Sequence, residues 1–139
     1  MDLFFQNQMF TVKEIMELNR ITKNCDLALK KQEILSLIDR RDMILSSIGR
    51  VEVGEGVLKD LILAFYDSPF IDKDNYFETV SDLLDIFYFY QTEFSNLTDE
   101  EIINYMRDSF DNLCAGSLEM VMSVGVCNLK ESIKENLYG

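Results

Sequence analysis

The chain contains no histidine, one proline, six glycines and three cysteines among its 139 residues. Each shortage closes something off. Without histidine there is no Ser-His-Asp or Cys-His nucleophilic site, and none of the Glu-x-x-His di-iron arrangement that a helical fold otherwise invites. Zinc is disfavoured as well, because three scattered cysteines without an imidazole make a poor ligand set. Cys25, Cys114 and Cys127 form no C-x-x-C pair, and an odd, widely spaced set suits free thiols in a reducing cytosol. With Pro69 alone, helices can run long without interruption. The longest apolar runs, such as 61–66, reach six residues, far below the roughly 20 of a membrane span. No secretory signal is expected, since Asp2 stands where a basic region belongs and Leu3-Phe4-Phe5 is too short an apolar run. These features predict a cytoplasmic protein.

What is present points to one folded unit spanning 1–139. Apolar residues make up 47% and charged residues 27%, too apolar for disorder. The net charge is −12, and it is uneven. Residues 1–50 carry eight basic and seven acidic side chains, a balance of +1, whereas residues 51–139 carry five and eighteen, a balance of −13. Such a negative back half repels phosphate backbones and anionic lipid, so neither nucleic acid nor membrane is expected as a partner.

Periodicity predicts an all-α domain of about six helices. Thr11-x-x-Glu14 reads as a capping box that opens a first helix, with Phe10 and Ile15 as its hydrophobic staple and Val12, Ile15, Met16 and Leu18 inward. A second helix spans roughly 31–48 and ends at Gly49 as a left-handed cap. Its stripe is Ile34, Leu37, Ile38, Ile44, Leu45 and Ile48, and Arg41 projects inside that stripe while Arg40 falls on the polar side. A Gly-rich extended connector follows over 49–56, where Val51 and Val53 alternate with Arg50 and Glu52. A third helix runs over about 57–66 until Asp67-Ser68-Pro69 stops it. The fourth, over about 75–94, is the expected centre: Tyr76, Val80, Leu83, Phe87, Tyr90 and Phe94 recur at spacings of four and three, widened by Phe77, Leu84 and Tyr88. Thr98-x-x-Glu101 opens a fifth helix to about 113, and Ser117 caps a sixth whose stripe runs from Leu118 through Met122, Val126, Leu129 and Ile133 to Leu137. Gly125 inside it costs about 1 kcal/mol against alanine, which calls for close packing or a kink.

Several of these segments, in order, are also familiar as a set. Arg40-Arg41, then 49–56 as G-R-V-E-V-G-x-G, then Ala64-Phe65-x-Asp67-Ser68-Pro69, Ile86-Phe87-Tyr88 and Gly116-Ser117-Leu118-Glu119 resemble a small family of uncharacterised proteins from Clostridia and related Firmicutes. The resemblance covers roughly residues 20–125 and departs at Tyr66, where the pattern has cysteine. It implies a bacterial cytosolic setting and no chemistry.

No catalytic residue, cofactor site or metal site is expected. Asp72-x-Asp74-x-Tyr76 begins like a calcium loop, but Phe77 replaces the required glycine and Leu83 the bidentate glutamate. Asp72 or Asp74 is instead expected to cap the fourth helix. The run 49–56 lacks the Lys-Ser/Thr pair of a phosphate loop and has Glu55-Gly56 there, so its glycines are read as backbone permissiveness. The acid pairs Asp82/Asp85 and Asp108/Asp111 are expected on solvated helix faces.

Two features remain. Arg41, inside an apolar stripe, must be paired, either by an internal carboxylate such as Glu52 or one on the fourth helix, or as part of an anion pocket with Arg40 and Arg50. Phe89 projects among acids and, with Phe4 and Phe5, forms a candidate association surface. The leading expectation is a non-catalytic interaction or regulatory module binding itself or another protein. The alternative is a small-anion-binding protein or an unrecognised enzyme using Arg41, Arg50 and acidic side chains. An exposed apolar patch favours the first, a concave pocket holding Arg41 the second.

Overall fold

The computed structural model describes the backbone over residues 3–52, 54 and 56–138, and side chains over residues 8–52, 54 and 56–135. Among these residues there are six main helices and no strand. They are α1 (Leu3–Glu17), α2 (Lys31–Ser47), α3 (Gly56–Phe65), α4 (Tyr76–Glu93), α5 (Asp99–Asp108) and α6, which begins at Leu118–Met120 and ends with Val126–Tyr138. Two π-helical turns interrupt this order: Ser109–Leu113 prolongs α5, and Val121–Gly125 lies inside α6.

The broad apolar face of α4 makes it the hub. Tyr76, Val80, Leu83, Leu84, Phe87, Tyr88 and Tyr90 are all buried, and α4 packs against α2, α3, α5 and the start of α6. A helix apolar over so wide an arc needs several neighbours to cover it. Phe65 and Phe110 meet edge-to-face at 5.7 Å between centroids where α3 and α5 approach.

The first helix differs from expectation. It starts at Leu3 rather than Thr11, because nothing in 3–10 breaks a helix and the apolar stripe simply continues upstream. Thr11 is therefore buried inside the helix, and Phe10, 64% exposed, forms no staple. Met16 and Ile48, placed inward by their spacing, lie at the edges of their stripes and stay exposed. Val53, Glu55 and the side chain of Leu137 lie outside the described residues.

Between α1 and α2 the chain makes two short turns, Asn19–Thr22 and Lys23–Cys25, that no periodicity announces. Asn19 holds them in place by donating to the Leu29 carbonyl and accepting from the Leu29 N–H, both at 2.9 Å. Thr22 Oγ1 donates to the Leu27 carbonyl at 2.8 Å, so Leu27 and Leu29 are buried without belonging to a helix.

Two tyrosines donate to carbonyls of the second π-turn, where the helical hydrogen-bond pattern is irregular. Tyr90 Oη donates to Val121 O at 2.7 Å and Tyr105 Oη to Gly125 O at 2.6 Å. A Cβ on Gly125 would sit 2.7 Å from Tyr90 Oη and 2.9 Å from Ser109 Oγ. Close approach is thus the reason for glycine there.

Helix ends follow the expected chemistry with one exception. Thr98 Oγ1 accepts from Glu101 N at 3.1 Å while Glu101 Oε1 accepts from Thr98 N at 2.9 Å, and Ser117 Oγ accepts from Met120 N at 3.2 Å. Asp72, by contrast, caps the preceding turn: its Oδ1 accepts from Asp74 N and Asn75 N. Asn75 occupies the cap position of α4 without a side-chain bond to the helix.

Candidate functional site

The site is built on the chain that leaves α2. Gly49, at φ 70°, turns that chain back, and residues 50–52 and 54 lie alongside the C-terminal half of α2. Arg41 reaches across to hold them. Its Nη1 donates to Gly54 O at 2.6 Å and its Nη2 to Glu52 O at 3.3 Å. Its charge is met by Asp42 Oδ1, 3.1 Å from both Nε and Nη2. Arg41 is 3% exposed, and these four contacts engage at most four of its five N–H donors.

The carboxylate of Glu52 is not the partner of Arg41. It turns the other way, with Oε1 accepting from Val57 N and Oε2 from Tyr88 Oη, both at 2.9 Å. Glu52 thereby caps α3, where free N–H groups and the helix dipole favour a carboxylate. Burial, followed by the Glu52 charge, pushes the Tyr88 hydroxyl well above its ordinary pKa, so Tyr88 donates. Gly56, at φ 45°, is required here: a Cβ would lie 1.5 Å from Glu52 Oε1.

Arg50 points outward and is placed by a relay. Its Nη1 donates to Gln91 Oε1 on α4, and Gln91 Nε2 donates to Asp99 Oδ1 at 3.0 Å. Of the five arginines, Arg20, Arg40, Arg41 and Arg107 each meet a carboxylate. Among the described residues Arg50 has none, in a chain with 25 acidic side chains.

Arg41 and Arg50 line the same cavity, of about 250 Å³, between α1, α2 and the connector. Gln8, Thr11 and Ser46 contribute polar groups, and Ile38, Leu45 and Val51 give it mostly apolar walls. On the other side of the connector, a more polar cavity of about 390 Å³ again includes Arg50 and Glu52, with Lys59, Gln91 and Asp99.

Arg40 is not at this site. It pairs with Asp85 on α4, a contact that raises the Arg40 pKa. Phe89 retains 38% exposure on α4. Phe4 and Phe5 fall in α1, and their side chains lie outside the described residues. Of the acid pairs, Asp111 is no solvated surface group: it accepts from Arg107 Nε and from Ser68 Oγ, both at 2.7 Å. Arg107 also reaches Ala64 O and Asp67, pinning the end of α3 to α5. Gln91, Asp99 and Tyr88 went unremarked in the sequence as site residues, since only tertiary contact between α4, α5 and the connector assembles them.

Among the described residues no helix is long and apolar enough to cross a membrane, and no three Cys, Asp or Glu side chains gather as a metal-binding set. The model of a family of unknown function, DUF6323, matches residues 14–138, and the chain belongs to that family. No curated protein and no solved structure matches it.

Proposed function

Proceeding from membership of a family without an assigned activity, we propose that the protein is a non-catalytic binding module whose Arg41–Arg50 cavity takes a small anion. One observation carries the reading: among the described residues Arg50 is a cation without a carboxylate partner, held by the Gln91–Asp99 relay, and it lines a cavity that is also lined by the buried Arg41. A guanidinium held in place before the ligand arrives binds with less ordering cost. The three free thiols suit a reducing bacterial cytoplasm.

The test is native mass spectrometry of untagged protein purified gently from its own cytosol, followed by melting curves in sodium acetate or sodium phosphate at constant ionic strength. The reading expects a small anionic adduct, or anion-dependent stabilisation, that Arg50→Gln removes. Neither adduct nor anion-specific stabilisation would contradict it.

A second reading, association through an apolar surface, is favoured by Phe89, a large apolar residue 38% exposed on α4. It predicts a homodimer or a co-purifying protein in the same spectra, lost in Phe89→Ser.

A further inference from the structure

Resting on that reading of the cavity, we infer that its ligand is an amphipathic monocarboxylate, an organic acid with a compact apolar body, rather than a phosphate. Three observations converge on this class.

The first is shape and lining. About 250 Å³ lies just below the roughly 300–1,000 Å³ of ordinary small-molecule sites, which are mostly apolar with a few placed polar groups. The walls are mostly apolar, and Val51, 89% exposed, offers a surface that inorganic phosphate leaves uncovered and that an alkyl or aryl group covers.

The second is charge. The cavity is lined by two arginines, Arg41 and Arg50, and two acids, Asp42 and Glu52. Asp42 already answers Arg41, and Glu52 is turned to Tyr88 and Val57. Arg50, which lines the cavity and has no carboxylate partner among the described residues, is therefore the cation left for the ligand. A single negative charge matches it; a phosphate dianion adds a second beside two carboxylates, in a chain already at −12.

The third is donor geometry. The planar N–H fork of a guanidinium fits the two oxygens of a carboxylate. Among the described residues Arg50 spends only Nη1, on Gln91, which leaves its other donors for such a group, and Arg41 keeps at least one N–H unengaged.

Isothermal titration calorimetry of the full chain tests the assignment, with 3-phenylpropionate and hexanoate as probes, their neutral amides as controls, and inorganic phosphate as competitor. Saturable one-to-one binding of an acid is expected. It should be about tenfold weaker for the amide and for Arg50→Gln, partly restored in Arg50→Lys, and about tenfold weaker for phosphate. Phosphate binding as well as the acids, with the same loss in Arg50→Gln, would overturn the ligand class while leaving the anion site intact. An amide binding as well as its acid would overturn the recognition of charge. No saturable binding of any anion would overturn the site itself. Arg50 is exposed and, among the described residues, its side chain hydrogen-bonds Gln91 alone, so Arg50→Gln should keep the melting temperature of the unmodified protein.

Discussion

At the scale of single residues, the fold contains polar atoms whose partners differ from those the sequence suggests. Tyr76 is the sharpest case. It is 3% exposed and, among the described residues, its hydroxyl has no hydrogen-bond partner, while the nearby Thr22 hydroxyl gives its proton to Leu27 O. A buried, unsatisfied hydroxyl is a liability, so Tyr76→Phe is expected to leave stability unchanged or to raise it by up to about 1 kcal/mol. Urea denaturation checks this, and a clear loss would contradict it. Gly125 gives the opposite expectation. Glycine to alanine inside a helix ordinarily stabilises by about 1 kcal/mol. Here the added Cβ collides with Tyr90 Oη and Ser109 Oγ, so Gly125→Ala should destabilise by about 1–3 kcal/mol. A stabilised variant would show that the contact relaxes freely. Arg41 illustrates how far a residue can be read in advance. Its place in an apolar stripe announces that it is buried and paired, but its partners are Asp42 and two connector carbonyls, which no helical projection displays.

At the scale of elements, caps and stripes were legible because they are local. The Thr98–Glu101 capping box lies within four residues and forms as its spacing indicates. Thr98→Ala is expected to cost about 1 kcal/mol, measured by denaturation, and no loss would mean that α5 is held by its packing alone. The start of α1 was misread for the same reason in reverse: Thr11-x-x-Glu14 satisfies the local pattern, yet the upstream residues continue the helix and bury Thr11 inside it. The turns at 19–25 and the π-turn at Val121–Gly125 are tied by Asn19, Tyr90 and Tyr105 reaching distant carbonyls. The site divides along the same line. Arg41 and Arg50 stand out by type and position, whereas the Gln91–Asp99 relay and the Glu52 cap exist only once α3, α4 and α5 surround the connector. If that relay positions Arg50, Gln91→Leu should weaken carboxylate binding several-fold without lowering the melting temperature. Unchanged affinity would remove Gln91 from the account.

At the scale of the whole molecule, burial of tyrosines around α4 sets the alkaline limit of stability. Burial pushes Tyr76 up to about 12 and raises Tyr88 and Tyr90 further. In the unfolded chain these hydroxyls titrate near 10. Their folded pKa values are raised, so the stability they confer is fully present below pH 10. It is lost as pH climbs through about 12 and beyond, where the unfolded state has already released protons that the folded state retains. The denaturation midpoint should therefore fall steadily above pH 10. A flat profile from 10 to 12 would contradict the burial of these side chains. The net charge of −12 bears on ligand choice as well, since it opposes every anion except one met by a placed cation beside mostly apolar walls.

The most direct test of that central claim is an ¹⁵N-¹H correlation spectrum of the full chain titrated with 3-phenylpropionate. The account predicts saturable shifts concentrated at Ile38, Arg41, Leu45, Arg50, Val51 and Glu52, absent in Arg50→Gln. Shifts scattered over the surface, or none at all, would contradict it.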